Sequence, residues 1–292
     1  MPPLHRSAYP KDLTDHSYRV LLQLVGIVPD AILIGGWGTW VRQQGLMSHD
    51  IDLIVDHSGR DAIFEIADDH SQSNHLGGVK WRAELDGVYD NGVLKNTIHV
   101  DLYVPYQSRL GARLDLVVER LETFAEHIDE WRVLDEDAHA ATKLAALLDR
   151  PESQPGEKDR VELFGMLPNI EPERLAERLA AASTLPVDEL ANLVSEGFDY
   201  LKDLHAVGRS ERRAIDTFIA RTNAFVRERR AASDAVLDLE AVSAQAIPIA
   251  GASPSSSGTA QCEFRTANGT RCEMKLTPGV KCPHHDWVAP LL

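Results

Sequence analysis

Two glycines close an apolar run, and fourteen residues later two aspartates flank an isoleucine; this pairing constrains the fold more than any other feature of the chain. Ala31 to Ile34 reads as a short buried strand, and Gly35-Gly36 as a tight turn after it. Trp37 to Gln44 then reads as a helix stopped by Gly45. Asp50-Ile51-Asp52 opens a second strand, Ile51 to Val55, in which alternation points both aspartates one way and Ile51, Leu53 and Val55 into the core. Two carboxylates this close repel each other and call for a compensating cation. Carboxylates with water and phosphate oxygens are the ligands that Mg²⁺ prefers. At a strand-to-helix turn, backbone N–H groups and a helix N-terminus can hold a phosphate, and glycine lets it approach. The run is not a dinucleotide fingerprint, because Gly36-Trp-Gly38-Thr-Trp-Val41 lacks the third glycine and the acids follow too soon. A third carboxylate, Asp101, stands in His99-Val-Asp-Leu-Tyr-Val104, where alternation sets it opposite Val100 and Leu102.

The remaining pattern divides in two. Helix Asp15–Ile27 precedes the first strand, and helix Arg60–Asp68 follows the second. Val79–Leu85 and Thr97–Val104 read as strands joined by a turn-rich link, Asp86–Gly92, with weaker strands at Leu114–Val118 and Trp131–Leu134. After Glu136 the pattern is helical: Ala138–Arg150, Lys158–Met166, Pro172–Ala182, Val187–Leu204 and Ser210–Ala231. An α+β half (1–135) and a helical half (136–232) imply two lobes with a cleft. Residues 233–261 have linker composition, ending in Gly-Ala-Ser-Pro-Ser-Ser-Ser-Gly258, and residues 262–292 form a small module. In 292 residues the formal net charge is −15, which disfavours non-specific binding to DNA or anionic membranes. No stretch reads as a signal peptide or membrane span, so a cytoplasmic location is expected. Trp37 and Trp40, three apart on a helix, read as core residues before base-stacking ones.

Gly-Gly, a short helix, Asp-hydrophobic-Asp on a strand and a later strand Asp together resemble the polymerase-β-like nucleotidyltransferase superfamily. Within it the chain resembles the AbiEii/MenT type of nucleotidyltransferase toxin. That branch carries a helix with a lysine and then a Lys-Asp pair opening the next helix, matched here by Lys143 and Lys158-Asp159. Ser48 matches a serine two residues before the first aspartate; Glu162 departs from the branch's more regular second Asp. The resemblance implies a nucleotidyltransferase-like mixed sheet with flanking helices, a helical lobe, and transfer of an NMP from an NTP to a hydroxyl. It implies two Mg²⁺ ions held by Asp50 and Asp52, with Asp101 completing one site. Lys143 contacts the triphosphate, and Gly35, Gly36, Ser48 and Lys158 line the nucleotide site. Asp159 shapes the nucleotide pocket or completes the active site. It further implies an RNA acceptor, the tRNA 3′ end above all, and a cognate antitoxin. The alternatives are a small-molecule or protein hydroxyl as acceptor, and a catalytically silent nucleotide-binding protein.

The only cysteines, Cys262, Cys272 and Cys282, fall in the tail, with His285 three residues after the last. Three thiolates and an imidazole are a tetrahedral Zn²⁺ set without an open position, so the expected role is structural. His284 is the alternative fourth ligand. The segment resembles small Cys3His zinc knuckles, and its slight excess of Lys and Arg suits nucleic acid or protein.

Overall fold

The computed structural model describes residues 11–43, 46–90, 93–245 and the short pieces 260–261 and 275–276. The chain divides into two compact units, Met1–Val236 and Leu237–Leu292. In chain order the first begins with helix α1 (Lys11–Ile27), strand β1 (Ile32–Ile34), helix α2 (Gly35–Gln43), β2 (Ile51–Ile54) and α3 (His57–Ile66). Next come β3 (Asp69–His75), β4 (Gly78–Asp90), β5 (Val93–Tyr103), a small ladder of β6 (Arg109–Leu110) and β7 (Leu116–Val117), and α4 (Val118–Leu121). A hairpin of β8 (Ala125–Ile128) and β9 (Trp131–Leu134) leads into α5 (Glu136–Asp149), α6 (Gln154–Met166), α7 (Pro172–Ala182) and α8 (Val187–Asp199); α9 (Arg209–Gln245) follows and continues past Val236, where the first unit ends.

Seven strands form one mixed sheet in the order β3-β4-β5-β2-β1-β9-β8. β1 pairs antiparallel with β2 and parallel with β9, while β2 and β5 run parallel. The fold is therefore α+β, a mixed sheet flanked by helices. Strand alternation gives the sheet two apolar faces. Leu33, Ile51, Leu53, Val100 and Leu102 pack with Val20, Leu21 and Leu24 of α1 and with Trp37 and Ile63. Ile32, Ile34, Ile54 and Tyr103 pack on the other face with Leu144, Leu148, Leu163, Leu179 and Phe198 of the helical half. That second core joins the sheet to the helices without a break. Trp37 is fully buried and donates to Ser17 Oγ at 3.0 Å, with Tyr18 and Trp40 against its ring, so this aromatic group is core. No helix among the described residues is long and apolar enough to cross a membrane.

Several elements depart from the sequence expectation, each for a physical reason. The supposed link Asp86–Gly92 is mostly strand: β4 pairs with β5 out to Asp90, through a register shift between Leu85 and Val88, with Asp86 at φ 55°. An irregularity of this kind lets pairing continue through residues that read as a turn. β3 leaves no mark in the sequence because Asp-His-Ser-Gln-Ser-Asn-His has no apolar alternation; it is an edge strand and needs none. α6 starts before Lys158, since Ser153 accepts from Gly156 N at 3.0 Å and caps it. Lys158-Asp159 thus falls inside the helix instead of opening it. α9 runs to Gln245, into the stretch read as linker, because Ala232–Gln245 is rich in Ala, Leu, Asp and Glu and holds neither Gly nor Pro. In the second unit the short strands Ala260–Gln261 and Lys275–Leu276 pair antiparallel. Cys262, Cys272, Cys282, His284 and His285 lie outside the described residues.

Candidate active site

The diglycine turn creates the site. Gly35 is the first residue of α2 and has φ +64°, a region that disfavours any side chain. A Cβ there would lie 2.2 Å from Asp52 Oδ2, and one on Gly36 would lie 2.6 Å from Lys158 Nζ and 2.7 Å from Ser48 Oγ. Missing side chains therefore let a carboxylate, an ammonium and a hydroxyl close on one helix N-terminus. Gly38 serves a different purpose: its Cβ would meet the His139 ring at 2.6 Å, so it lets α2 lie against α5.

A cleft of about 320 Å³ opens here. It is lined by Gly35, Gly36, Ser48, Asp50, Asp52, Asp101, Lys143, Lys158 and Asp159, the residues to which the resemblance gives a place in the metal or nucleotide site. β2, β5 and the start of α2 form one wall; Thr142, Lys143, Ala146 and Arg150 from α5 and its end, with Pro155, Lys158 and Asp159 from α6, form the other. The cleft volume falls within the ~300–1,000 Å³ typical of small-molecule sites.

Asp52 and Asp101 are directly paired in register on the parallel strands β2 and β5. Burial, and then repulsion from Asp101, push the Asp52 carboxyl up to about 6. Lys80 is the strongest opposing cation there. Asp50 is half exposed and lies below its ordinary value: burial pushes it up, but the hydrogen bond from His49 and the charges of His49, His99 and Arg82 outweigh that. Asp101 is buried and accepts from Arg82 at 2.7 and 3.1 Å and from Lys80 at 2.6 Å. Among the described residues no group of three or more carboxylates, histidines or cysteines is arranged to hold a metal. The donor set nonetheless suits a hard divalent cation. It is all carboxylate oxygen, from Asp50, Asp52 and Asp101.

Lys143, the triphosphate contact that the resemblance implies, lies in the cleft wall within an ion-pair network. Its ammonium is buried and bonds Asp159 at 3.1 Å and Glu162 at 2.5 Å. Burial works against its charge, but Glu162 and Asp159 hold its pKa well above the ordinary lysine value. Arg150 adds a bond to Asp159 at 2.7 Å, and Lys158, depressed by burial, donates to Ser48 at 3.2 Å. Glu162 stands where the resemblance has a second aspartate; its Oε2 accepts from Lys143, and its Oε1 lies 3.7 Å from the Lys158 ammonium. The sequence alone does not single out Lys80, Arg82 or Arg150, and it marks Glu162 only as a departure from the resemblance. Lys80 and Arg82 carried a signal, a cation at alternate positions of a strand otherwise built of Val79, Trp81, Ala83 and Leu85.

No family model and no curated protein matches the chain. Among solved structures, JHP933 from Helicobacter pylori is 13% identical, with TM-score 0.39, over 80% of this chain and 100% of its own. A candidate nucleotidyltransferase from H. pylori is 12% identical, with TM-score 0.36, over 75% of this chain and 95% of its own. An antigenic nucleotidyltransferase-like protein from Paracoccidioides brasiliensis is 16% identical, with TM-score 0.36, over 66% of this chain and 93% of its own.

Two outcomes follow for the site. Lys143→Ala leaves Asp159 and Glu162 buried with less compensation, so it lowers unfolding free energy by roughly 3–5 kcal/mol in urea melts, and adding Glu162→Gln restores part of the loss. Asp52 has a folded pKa of about 6, above its unfolded value, so its favourable contribution is complete at low pH and is lost as pH rises through 6. In metal-free buffer Asp52→Asn therefore stabilises the protein above that pH, by roughly 1–3 kcal/mol at about 1.4 per pK unit, and gives no such gain near pH 4.

Proposed function

We propose that the protein is a nucleotidyltransferase that moves an NMP from an NTP to a hydroxyl acceptor. The convergence of the diglycine turn, Asp50, Asp52 and Asp101, and the Lys158–Asp159 helix on one cleft carries this reading. Attack of the acceptor oxygen on the α-phosphorus forms one P–O bond and breaks the bond to the β-phosphate. Pyrophosphate leaves, and the hydroxyl proton passes to the carboxylate cluster. Little covalent work falls to the protein, which supplies position and charge.

The α2 N-terminus, with Gly35 and Gly36, offers N–H groups and a positive dipole end to phosphate oxygens. Lys158 and the half-exposed Arg150 bring cations to the same side. Lys143 acts one step back, holding Asp159 and Glu162 in place. Asp50 and Asp52 would hold magnesium, with Asp101 beside them. When bound, the ion supplies charge neutralisation at the transferring phosphate and a more acidic acceptor hydroxyl. As acceptor we take RNA, tRNA by preference, and as role a toxin or defence enzyme under a cognate antitoxin; both rest on the sequence resemblance. A small-molecule or protein hydroxyl is the competing acceptor.

The test is incubation with each α-labelled NTP, Mg²⁺ and total RNA. Label appears in RNA with wild type, and Asp52→Ala reduces it at least a hundredfold while the melting curve remains cooperative. Label on protein or in a small product reassigns the acceptor, and absence of transfer with all four NTPs refutes the activity.

For the tail we propose a structural zinc on Cys262, Cys272, Cys282 and His285 or His284. Elemental analysis of the full chain should give about one zinc per chain, lost in Cys272→Ser, without loss of NTP binding by the body.

A further inference from the structure

Three neighbouring strands set a row of charges across the sheet. Arg82 on β4 is in register with Asp101 on β5, which is in register with Asp52 on β2. Two residues before Arg82, on the same face, Lys80 reaches back to Asp101 Oδ2 at 2.6 Å. Its ammonium stands over the ring of the buried Tyr103, 5.3 Å from the centroid, and its side chain is only 20% exposed. Arg82, in contrast, is 42% exposed and grips Asp101 from the solvent side. Lys80 is thus a fixed cation inside the cleft, wedged between the carboxylates and an aromatic face.

We propose that the Lys80 ammonium takes the place of a second divalent ion, so that this cleft binds one metal ion where the sequence resemblance implies two. The inference rests on, and deepens, the nucleotidyl-transfer reading. Charge balance supports it. One divalent ion with Lys80 and Arg82 brings the three carboxylates to the same net charge that two divalent ions would give without them. A second divalent ion next to Lys80 would have to displace an ammonium from a buried carboxylate 2.6 Å away, where like charges are only partly screened by solvent. Lysine suits the substitution, being a compact point charge on a stem that can settle against Tyr103. Lys80 is a positioning residue on this account: it fixes Asp101 and supplies charge where a metal would otherwise do so.

Mn²⁺ serves as the probe, and the free-ion EPR signal counts sites on the full chain. Wild type should bind one Mn²⁺ per chain in the cleft, lost in Asp52→Asn. Lys80→Met, of similar length and no charge, should bind two. A purely structural lysine would not raise the count. Any wild-type count other than one overturns the proposal, as does a count of one in a folded Lys80→Met. Lys80→Gln replaces it if the methionine variant melts non-cooperatively. A parallel titration with a non-hydrolysable NTP analogue separates the two ideas: failure to bind the analogue with the ion counts intact refutes nucleotidyl transfer, not the single-ion site.

Discussion

Everything in the cleft depends on the backbone of Gly35 and Gly36 lying where side chains cannot. With Asp52 Oδ2 only 2.2 Å from the place of a Gly35 Cβ, the carboxylate can enter the site only because that carbon is absent. The same holds for Lys158 and Ser48 at Gly36. A helix N-terminus by itself offers partial positive charge; here it also has an acid and an amine pressed against it. The left-handed φ of Gly35 is what turns the chain from β1 into α2 at this point.

The site sets charges against burial. Asp52 and Asp101 face each other across two paired strands, and the fold answers with Lys80 and Arg82 on the next strand. On the helical side, Lys143 is enclosed with Asp159 and Glu162, and Arg150 and Lys158 complete the set. Such buried networks add little net stability against an apolar core, but they hold geometry and penalise the loss of any member. The two networks occupy opposite walls, and the continuous core of sheet and helices fixes their separation.

How much of this was legible varied with the physics. Asp50, Asp52, Asp101, Lys158 and Asp159 could be placed because strand alternation and motif order are local properties. Lys143 was placed correctly on its helix, but its burial depends on Glu162, which only the docking of α6 on α5 brings within 2.5 Å. Lys80 and Arg82 needed the register of β4 on β5, and no spacing along the chain encodes that register. β3 escaped because an edge strand with every residue exposed or nearly so has no apolar period to read. The extent of α9 was underestimated because linker composition begins later than the loss of apolar periodicity suggested.

The proposed function requires an NTP to lie in this cleft with its phosphates over the Gly35–Gly36 turn. A crystal structure of the full chain with a non-hydrolysable NTP analogue and Mn²⁺ tests it most directly. Phosphate density at the N-terminus of α2 and an anomalous manganese peak beside Asp52 are the expected result. Nucleotide bound elsewhere on the molecule, or manganese beside another set of carboxylates, would contradict it.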